Sequence, residues 1–149
     1  MKYVLDTNTL SYAMAGEPEV CGRILALART DVLLPQPVIA EVEYGLDRMR
    51  KSKRRERLRE RLRVFLGELS RAAWTDAVSR AFGAAKADLE HRGARLEDFD
   101  VAVAAHALAL DATLVSDDSV QMSRIAGLRV ESWRSNPGAP RGSTAPGAG

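Results

Sequence analysis

The chain has 149 residues, of which 46% are apolar and 28% charged. This length predicts one compact domain that needs neither disulfides nor a structural metal to stay folded. The single cysteine, Cys21, excludes an internal disulfide and a cysteine-rich zinc site, which favours a reducing, cytoplasmic setting. We expect neither a secretory signal nor a membrane span, because an acid stands at position 6 and the longest uncharged apolar run, residues 101–110, is too short.

The formal net charge of +2 conceals a strong asymmetry. Residues 48–63, the basic arm, hold ten basic and two acidic side chains, a local net charge of +8. The rest of the chain therefore carries a net charge of −6. The surplus of cations on the basic arm favours contact with a polyanion, although a charged run is more often just a solvated helix face.

Short apolar runs alternate with helical patterns along the chain. Strands are predicted at residues 3–5, 32–34, 113–115 and 128–133. Helices are predicted from Pro18, from Pro37 onward through the basic arm to Leu69, from the N-cap Thr75 to His91 with Gly93 as the stop, and over residues 98–110. Strands separated by helices predict an α/β fold, a three-layer α/β/α domain with a mostly parallel central sheet.

The domain is predicted to span residues 1–134. Residues 135–149 contain four glycines and three prolines and almost nothing that could pack into a core. This composition predicts a disordered tail.

Four acidic positions follow predicted strands or open predicted helices. Asp6 directly follows the first strand, and the pair Asp117 and Asp118 follows the strand at residues 113–115. Glu41 and Asp100 lie in the opening turns of two helices. In a parallel sheet the functional crevice lies outside the carboxyl ends of the strands, so these acids are expected to converge there.

Converging carboxylates would repel one another unless a cation lay between them. No lysine or arginine occurs within three residues of Glu41, Asp100 or Asp118. A hard divalent cation is the simplest compensating charge, and all-oxygen ligands favour Mg²⁺, with Mn²⁺ as a substitute. The alternative for any one of these acids is a helix cap or a solvated surface charge.

Four sequence elements together carry a family resemblance. Four stretches occur in order along the chain: YVLDTNTLSY, VIAEVEYGL, EDFDVAVAAHALALDATLVSDD and GLRVESW. They resemble the PIN-domain ribonucleases, specifically the VapC toxins of toxin–antitoxin systems. The likeness extends over about residues 1–133. By that match the metal-binding acids are Asp6, Glu41, Asp100 and Asp118, with Ser116 as the hydroxyl at the strand end.

The resemblance implies a Mg²⁺-dependent endoribonuclease. Asp6 and Asp100 would bind the ion directly, and Glu41 and Asp118 through water or a second ion. A water activated by the metal would then attack an RNA phosphodiester, and the products would carry 3′-hydroxyl and 5′-phosphate ends. Residues expected to support these carboxylates are Thr7, Asn8, Ser116 and Asp117. Asp117 is a neighbouring alternative to Asp118 as the fourth acid. Glu43 is a second acid near Glu41, and only one of Glu41 and Glu43 can face the cleft.

The resemblance also implies partners: an RNA substrate, a cognate VapB-type antitoxin and a second copy of the chain in a homodimer. The overall pattern is most similar to the VapC branch that cuts initiator tRNA in the anticodon loop. Contact with the RNA backbone is predicted for Arg50, Lys51, Lys53, Arg54, Arg55 and Arg57.

Two other functions remain in view. A catalytically silent module that binds nucleic acid would use the basic arm without needing the acids. A phosphohydrolase of another α/β family would need an aspartate at position 8, where this chain has Asn8. His106 could act as a general base, but a buried structural histidine is the better interpretation.

Overall fold

The computed structural model describes residues 1–135, and strands and helices alternate along most of this range. In chain order the elements are β1 (Tyr3–Leu5), α1 (Thr7–Met14), α2 (Pro18–Ala26), β2 (Val32–Pro35), α3 (Gln36–Asp47), α4 (Lys53–Glu68), β3 (Ser70–Ala72), α5 (Asp76–His91), α6 (Asp98–Ala109), β4 (Thr113–Val115), α7 (Ser119–Met122) and β5 (Val130–Glu131). A short 3₁₀ turn, Arg29–Asp31, precedes β2.

The strands of the described chain form one parallel sheet in the order β3-β2-β1-β4-β5. Val4 of the central strand β1 lies opposite Leu33 of β2 and Leu114 of β4. β1, β2 and β4 are almost fully buried, as is expected when helices cover both faces of a parallel sheet. The predicted three-layer α/β/α class is confirmed.

Helix α6 lies in the interior of the domain. Every residue from Val101 to Ala107 is buried, so this helix has no solvent-facing side over those two turns. It packs against α5, α3 and the central strand β1, and its alanines allow close approach to these neighbours. This packing fixes the first turn of α6, which carries Asp98 and Asp100.

Several local predictions are confirmed. Thr75 caps α5, because its hydroxyl accepts a hydrogen bond from the Val78 N–H at 3.3 Å. Gly93 has φ of +69°, the left-handed conformation that ends a helix and that glycine adopts without strain. The last strand is present but short, since only Val130–Glu131 of the predicted residues 128–133 pair in the sheet.

The structure differs from the prediction in several places. The continuous helix from Pro37 to Leu69 is wrong, because α3 ends at Asp47 and α4 begins at Lys53, where Ser52 accepts a hydrogen bond from the Arg55 N–H. Helices α1 and α7 and strand β3 were missed. The β3 sequence, Ser-Arg-Ala, has no strand pattern of its own and is extended because it pairs with β2.

The described chain ends with Ser135, whose N–H and hydroxyl both donate hydrogen bonds to the carboxylate of Glu19. The rest of the predicted disordered tail, residues 136–149, lies outside the described residues. The domain boundary at residue 134 stays a prediction. No helix within residues 1–135 is both long and apolar enough to cross a membrane.

Candidate active site

The four acids named from the sequence are gathered at the carboxyl edge of the sheet. Asp6 directly follows β1, and Asp118 follows β4 after two intervening residues. Glu41 lies in the second turn of α3 and Asp100 in the first turn of α6. The negative charges of Glu41, Asp6 and Asp118 all raise the pKa of Asp100, so the four carboxylates lie close together at this edge, which we call the crevice.

Asp6 is the buried member of this group. Its carboxylate caps α1, where Oδ1 accepts a hydrogen bond from the Thr9 N–H at 2.8 Å. Burial raises the pKa of Asp6, and the charge of Asp117 adds to that effect, whereas hydrogen bonds from Ser116 and Thr9 lower it. The Thr9 hydroxyl in turn donates to the Val115 carbonyl at 3.1 Å, which ties α1 to the end of β4.

The pKa of Asp100 shows the effect of the neighbouring carboxylates most clearly. Its pKa is raised to about 6, first by burial and then by repulsion from Glu41, Asp6, Asp118 and Glu97. A carboxylate placed among other carboxylates is stabilised in its charged form when a cation binds between them. The electrostatics of the crevice therefore favour a cation.

Glu41 and Glu43 point in different directions from α3. The Thr7 hydroxyl donates a hydrogen bond of 2.7 Å to Glu41, which joins α3 to the residue that follows Asp6. Glu43 is exposed and faces Arg59 of α4 at 3.6 Å. Glu41 is therefore the acid of α3 that faces the crevice.

Asp117 and Asp118 also differ in their surroundings. Ser132 and Arg134 donate hydrogen bonds of 2.6 and 2.8 Å to the two carboxylate oxygens of Asp117. Asp118 is exposed, and its N–H donates to the Ser116 hydroxyl at 3.0 Å. These contacts favour Asp118 as the fourth acid of the crevice.

The donor set suits a hard divalent cation by its chemistry, because it consists of carboxylate and hydroxyl oxygens. It is not a preformed cage: within residues 1–135 no three acidic, histidine or cysteine side chains are arranged to hold a metal ion. A bound ion would keep part of its water shell, as Mg²⁺ commonly does in proteins. Asn8 is exposed in the first turn of α1, beside this set.

His106 lies inside the domain and away from these acids along α6. It is fully buried, its Nδ1 lies 2.7 Å from the Ala102 carbonyl, and the ring of Trp74 packs edge-on against it at 5.3 Å. Burial lowers its pKa. Its Nε2 has no hydrogen-bond partner among the described residues, and the interpretation as a structural histidine is favoured over a general base.

We expect His106→Leu to leave RNA cleavage near the wild-type level and to change the acid stability of the protein. A buried histidine with a lowered pKa stays neutral in the folded state and protonates in the unfolded state, so stability falls as the pH drops below about 6.5. The leucine variant lacks this contribution. Urea unfolding of both proteins from pH about 7.5 to about 5 measures this difference in the pH dependence of stability. A His106→Leu variant that folds but does not cleave RNA would contradict the structural role.

The basic arm divides into two groups. Arg55 is turned inward, since it donates to the Met49 carbonyl at 3.3 Å and lies 3.5 Å from Asp47. The side chains of five other members of the predicted RNA-contacting set are exposed and form no hydrogen bond or ion pair with any part of residues 1–135: Arg50, Lys51, Lys53, Arg54 and Arg57. We call these five residues the basic cluster.

Comparison with known proteins identifies the family of this chain. Residues 3–128 match the family described as the PIN domain. The chain belongs to the PIN-domain family. Ribonuclease VapC2 of Rickettsia felis is 31% identical to this PIN domain over 135 residues, covering 89% of this chain and 98% of that protein. This relative shows that the chain lies in the VapC branch of the family.

Two further relatives are informative. The tRNA(fMet)-specific endonuclease VapC of Salmonella typhimurium is 26% identical over 136 residues, covering 89% of this PIN domain and 98% of that protein. The crystal structure of VapBC2 from Rickettsia felis bound to a promoter DNA fragment has a chain that superposes with a TM-score of 0.80 at 31% identity. That match covers 90% of this chain and all of the other.

Three residues outside the predicted set also support the site. Thr9 holds Asp6 and the end of β4 together, while Ser132 and Arg134 hold Asp117. Thr9 could have been found from its place three residues after Asp6, the usual spacing of a helix N-cap and its partner. Arg134 could not, because only the sheet brings it close to Asp117.

Proposed function

We propose that this PIN domain is a divalent-metal-dependent endoribonuclease, the toxin of a toxin–antitoxin pair. The observation that carries the proposal is the position of Asp100, whose carboxyl lies among the charges of Asp6, Glu41 and Asp118 with a pKa raised to about 6. Such a cluster is costly unless it binds a cation. The relatives named ribonuclease and endonuclease support RNA as the substrate.

In this proposal Asp6 and Asp100 hold the ion, with Glu41 and Asp118 contacting it through water or a second ion. Mg²⁺ is the proposed ion and Mn²⁺ the substitute; when bound by these acids, such an ion would supply a water of lowered pKa and positive charge for the phosphodiester. Thr7 orients Glu41 through its hydroxyl, and Ser116 orients Asp6. Asn8 is proposed to contact the attacking water or the scissile phosphate.

The basic cluster is proposed to bind the RNA backbone. Its five side chains are exposed and unpaired within the described chain, so their positive charge is available to phosphates. Arg55 is proposed to stabilise the turn between α3 and α4 that carries part of the basic cluster, because it bonds to Asp47 and the Met49 carbonyl. The acidic crevice would repel RNA by itself, and the basic cluster offsets that repulsion.

The partners are proposed by analogy with the relatives. A VapB-type antitoxin is supported by the VapBC2 complex, and initiator tRNA as the substrate by the name of the Salmonella relative. We also propose a cytoplasmic location and a homodimer. A catalytically silent module that binds nucleic acid is the alternative, and it would bind RNA without cleaving it.

The proposed function is tested by incubating the full chain with total RNA in Mg²⁺ or Mn²⁺ buffer and mapping the ends of the products. Cleavage that stops with EDTA, concentrates in one RNA class and leaves 5′-phosphates supports the nuclease. RNA binding without cleavage in either metal would support the silent module. Hydrolysis of small phosphoesters instead of RNA would indicate a phosphohydrolase.

A further inference from the structure

The segment that follows β5 reaches back to the loop that follows β4. The Ser132 hydroxyl and the Arg134 guanidinium each donate to a different carboxylate oxygen of Asp117, at 2.6 and 2.8 Å. The side chains of Arg134 and Asp117 are only 4% and 13% exposed. An ion pair this deeply buried holds its two chain segments together firmly, because separating it leaves a charge without a partner in the interior.

Arg134 also contacts helix α1. The centre of its guanidinium lies 4.1 Å from the ring centre of Tyr12, which is itself buried. Helix α1 begins directly after Asp6. Arg134 therefore links the loop that carries Asp118 to the helix that starts at Asp6.

Ser116 connects this link to the acids of the crevice. Its hydroxyl oxygen accepts a hydrogen bond from the Asp118 N–H at 3.0 Å, and the same side chain lies close enough to Asp6 to lower the pKa of that carboxyl. Ser116, Asp117 and Asp118 are consecutive in the chain. Fixing the side chain of Asp117 therefore restricts the orientation of both neighbours.

We infer that Arg134, together with Ser132, is a positioning residue that holds Asp117 so that Ser116 and Asp118 face Asp6. Asp117 then serves as an anchor for the loop, and its charge is offset by Arg134. This inference rests on the proposed nuclease function, because the orientation of Ser116 and Asp118 matters through the metal ion and the RNA. Neither Ser132 nor Arg134 touches the reacting atoms.

The experiment compares RNA cleavage by three variants of the full chain: Arg134→Gln, Ser132→Ala and Arg129→Gln. Arg129 is the matched control, because it flanks the same strand, directly before β5, and bonds to an aspartate, Asp111, but both partners are exposed. Loss of a residue that orients a metal ligand costs about 10- to 100-fold in activity or metal affinity. We expect kcat to fall about tenfold in Arg134→Gln and severalfold in Ser132→Ala, with KM for RNA unchanged and Arg129→Gln like the wild type.

Calorimetric titration of Mn²⁺ into the metal-free protein provides a second readout that is independent of turnover. We expect weaker binding in Arg134→Gln and Ser132→Ala and wild-type binding in Arg129→Gln. Ser132→Ala leaves the buried ion pair in place, so it decides the question if Arg134→Gln does not fold.

The inference is overturned if folded Ser132→Ala and Arg134→Gln keep wild-type kcat and Mn²⁺ affinity. It is also overturned if Arg129→Gln loses as much activity as they do, because the effect would then be general to residues that flank β5. Failure of the proposed function looks different: the wild type itself would cleave no RNA in Mg²⁺ or Mn²⁺.

Discussion

Asp100→Asn is expected to abolish RNA cleavage while leaving the protein folded. Asp100 is the acid on which the charges of Asp6, Glu41 and Asp118 converge. Asparagine keeps the size of the side chain but removes the negative charge that attracts the ion. The loss in kcat should exceed the roughly 10- to 100-fold that removing a residue behind a metal ligand costs. Steady-state cleavage of a defined RNA in Mg²⁺ measures it.

Asp98→Asn is the matched control for this variant. Asp98 lies in the same first turn of α6, but it is exposed and pairs with Lys86 at 3.1 Å. We expect Asp98→Asn to cleave RNA at the wild-type rate. Equal activity in Asp98→Asn and Asp100→Asn would contradict the assignment of Asp100 to the site.

Stability measurements separate a lost ligand from a lost fold. The pKa of Asp100 is raised to about 6 in the folded, metal-free chain, so its ionised form destabilises the folded state above that pH. This penalty is relieved as the pH falls from about 6 toward the unfolded value of about 3.9. Without metal, Asp100→Asn should therefore be at least as stable as the wild type at pH about 7.5, and the difference should shrink at pH about 4.5.

With added Mg²⁺ or Mn²⁺, the wild type should become more stable than Asp100→Asn. An ion that binds only the folded state raises its stability by mass action. We expect the melting temperature of the wild type to rise with the metal concentration and that of Asp100→Asn to stay nearly constant. A shift of the same size in both proteins would place the ion elsewhere in the chain.

Replacing three residues of the basic cluster, Lys51, Arg54 and Arg57, by alanine is expected to weaken RNA binding about tenfold or more at near-physiological salt. Each phosphate contact contributes about 0.7 to 0.9 to the slope of log affinity against log salt concentration. Loss of three contacts should therefore reduce the slope by about 2 to 3. Binding is best measured with Asp100→Asn as the background, so that the RNA stays intact.

The control for this charge change is a second triple variant, in which Lys2, Arg80 and Arg124 become alanine. These three side chains are also exposed and cationic, but Lys2 precedes β1 and so lies at the opposite edge of the sheet from the acids. In the active background the cluster variant should raise KM and leave kcat unchanged. Equal salt slopes in both triple variants would show that only the net charge of the protein matters.

The positions of the four acids could be predicted from the sequence because each depends on local information. A strand of apolar residues that stops at Asp6 and another that stops before Asp117 mark the carboxyl edge of a parallel sheet. Pro37 and the run after Asp100 mark two helix starts near that same edge. The periodicity of these segments is sufficient for the α/β class, which the structure confirms.

Strand β3 and the turn between α3 and α4 could not be predicted in the same way. β3 has an arginine at its centre and is extended because it pairs with β2. The turn after Asp47 interrupts a run of residues with good helical propensity, and Ser52 restarts the helix by capping α4. Pairing with β2 overrides the local preference of β3, whereas the break between α3 and α4 falls at the capping residue Ser52.

The sequence by itself therefore determined the α/β class and which carboxylates lie at one edge of the sheet, because these follow from periodicity and from the position of each acid beside a strand or helix end. Only the tertiary structure decided between neighbouring candidates. Glu41 faces the crevice while Glu43 faces Arg59, and Asp117 is engaged by Arg134 while Asp118 is left exposed. The physical reason is that burial and hydrogen-bond partners come from residues far apart in the chain.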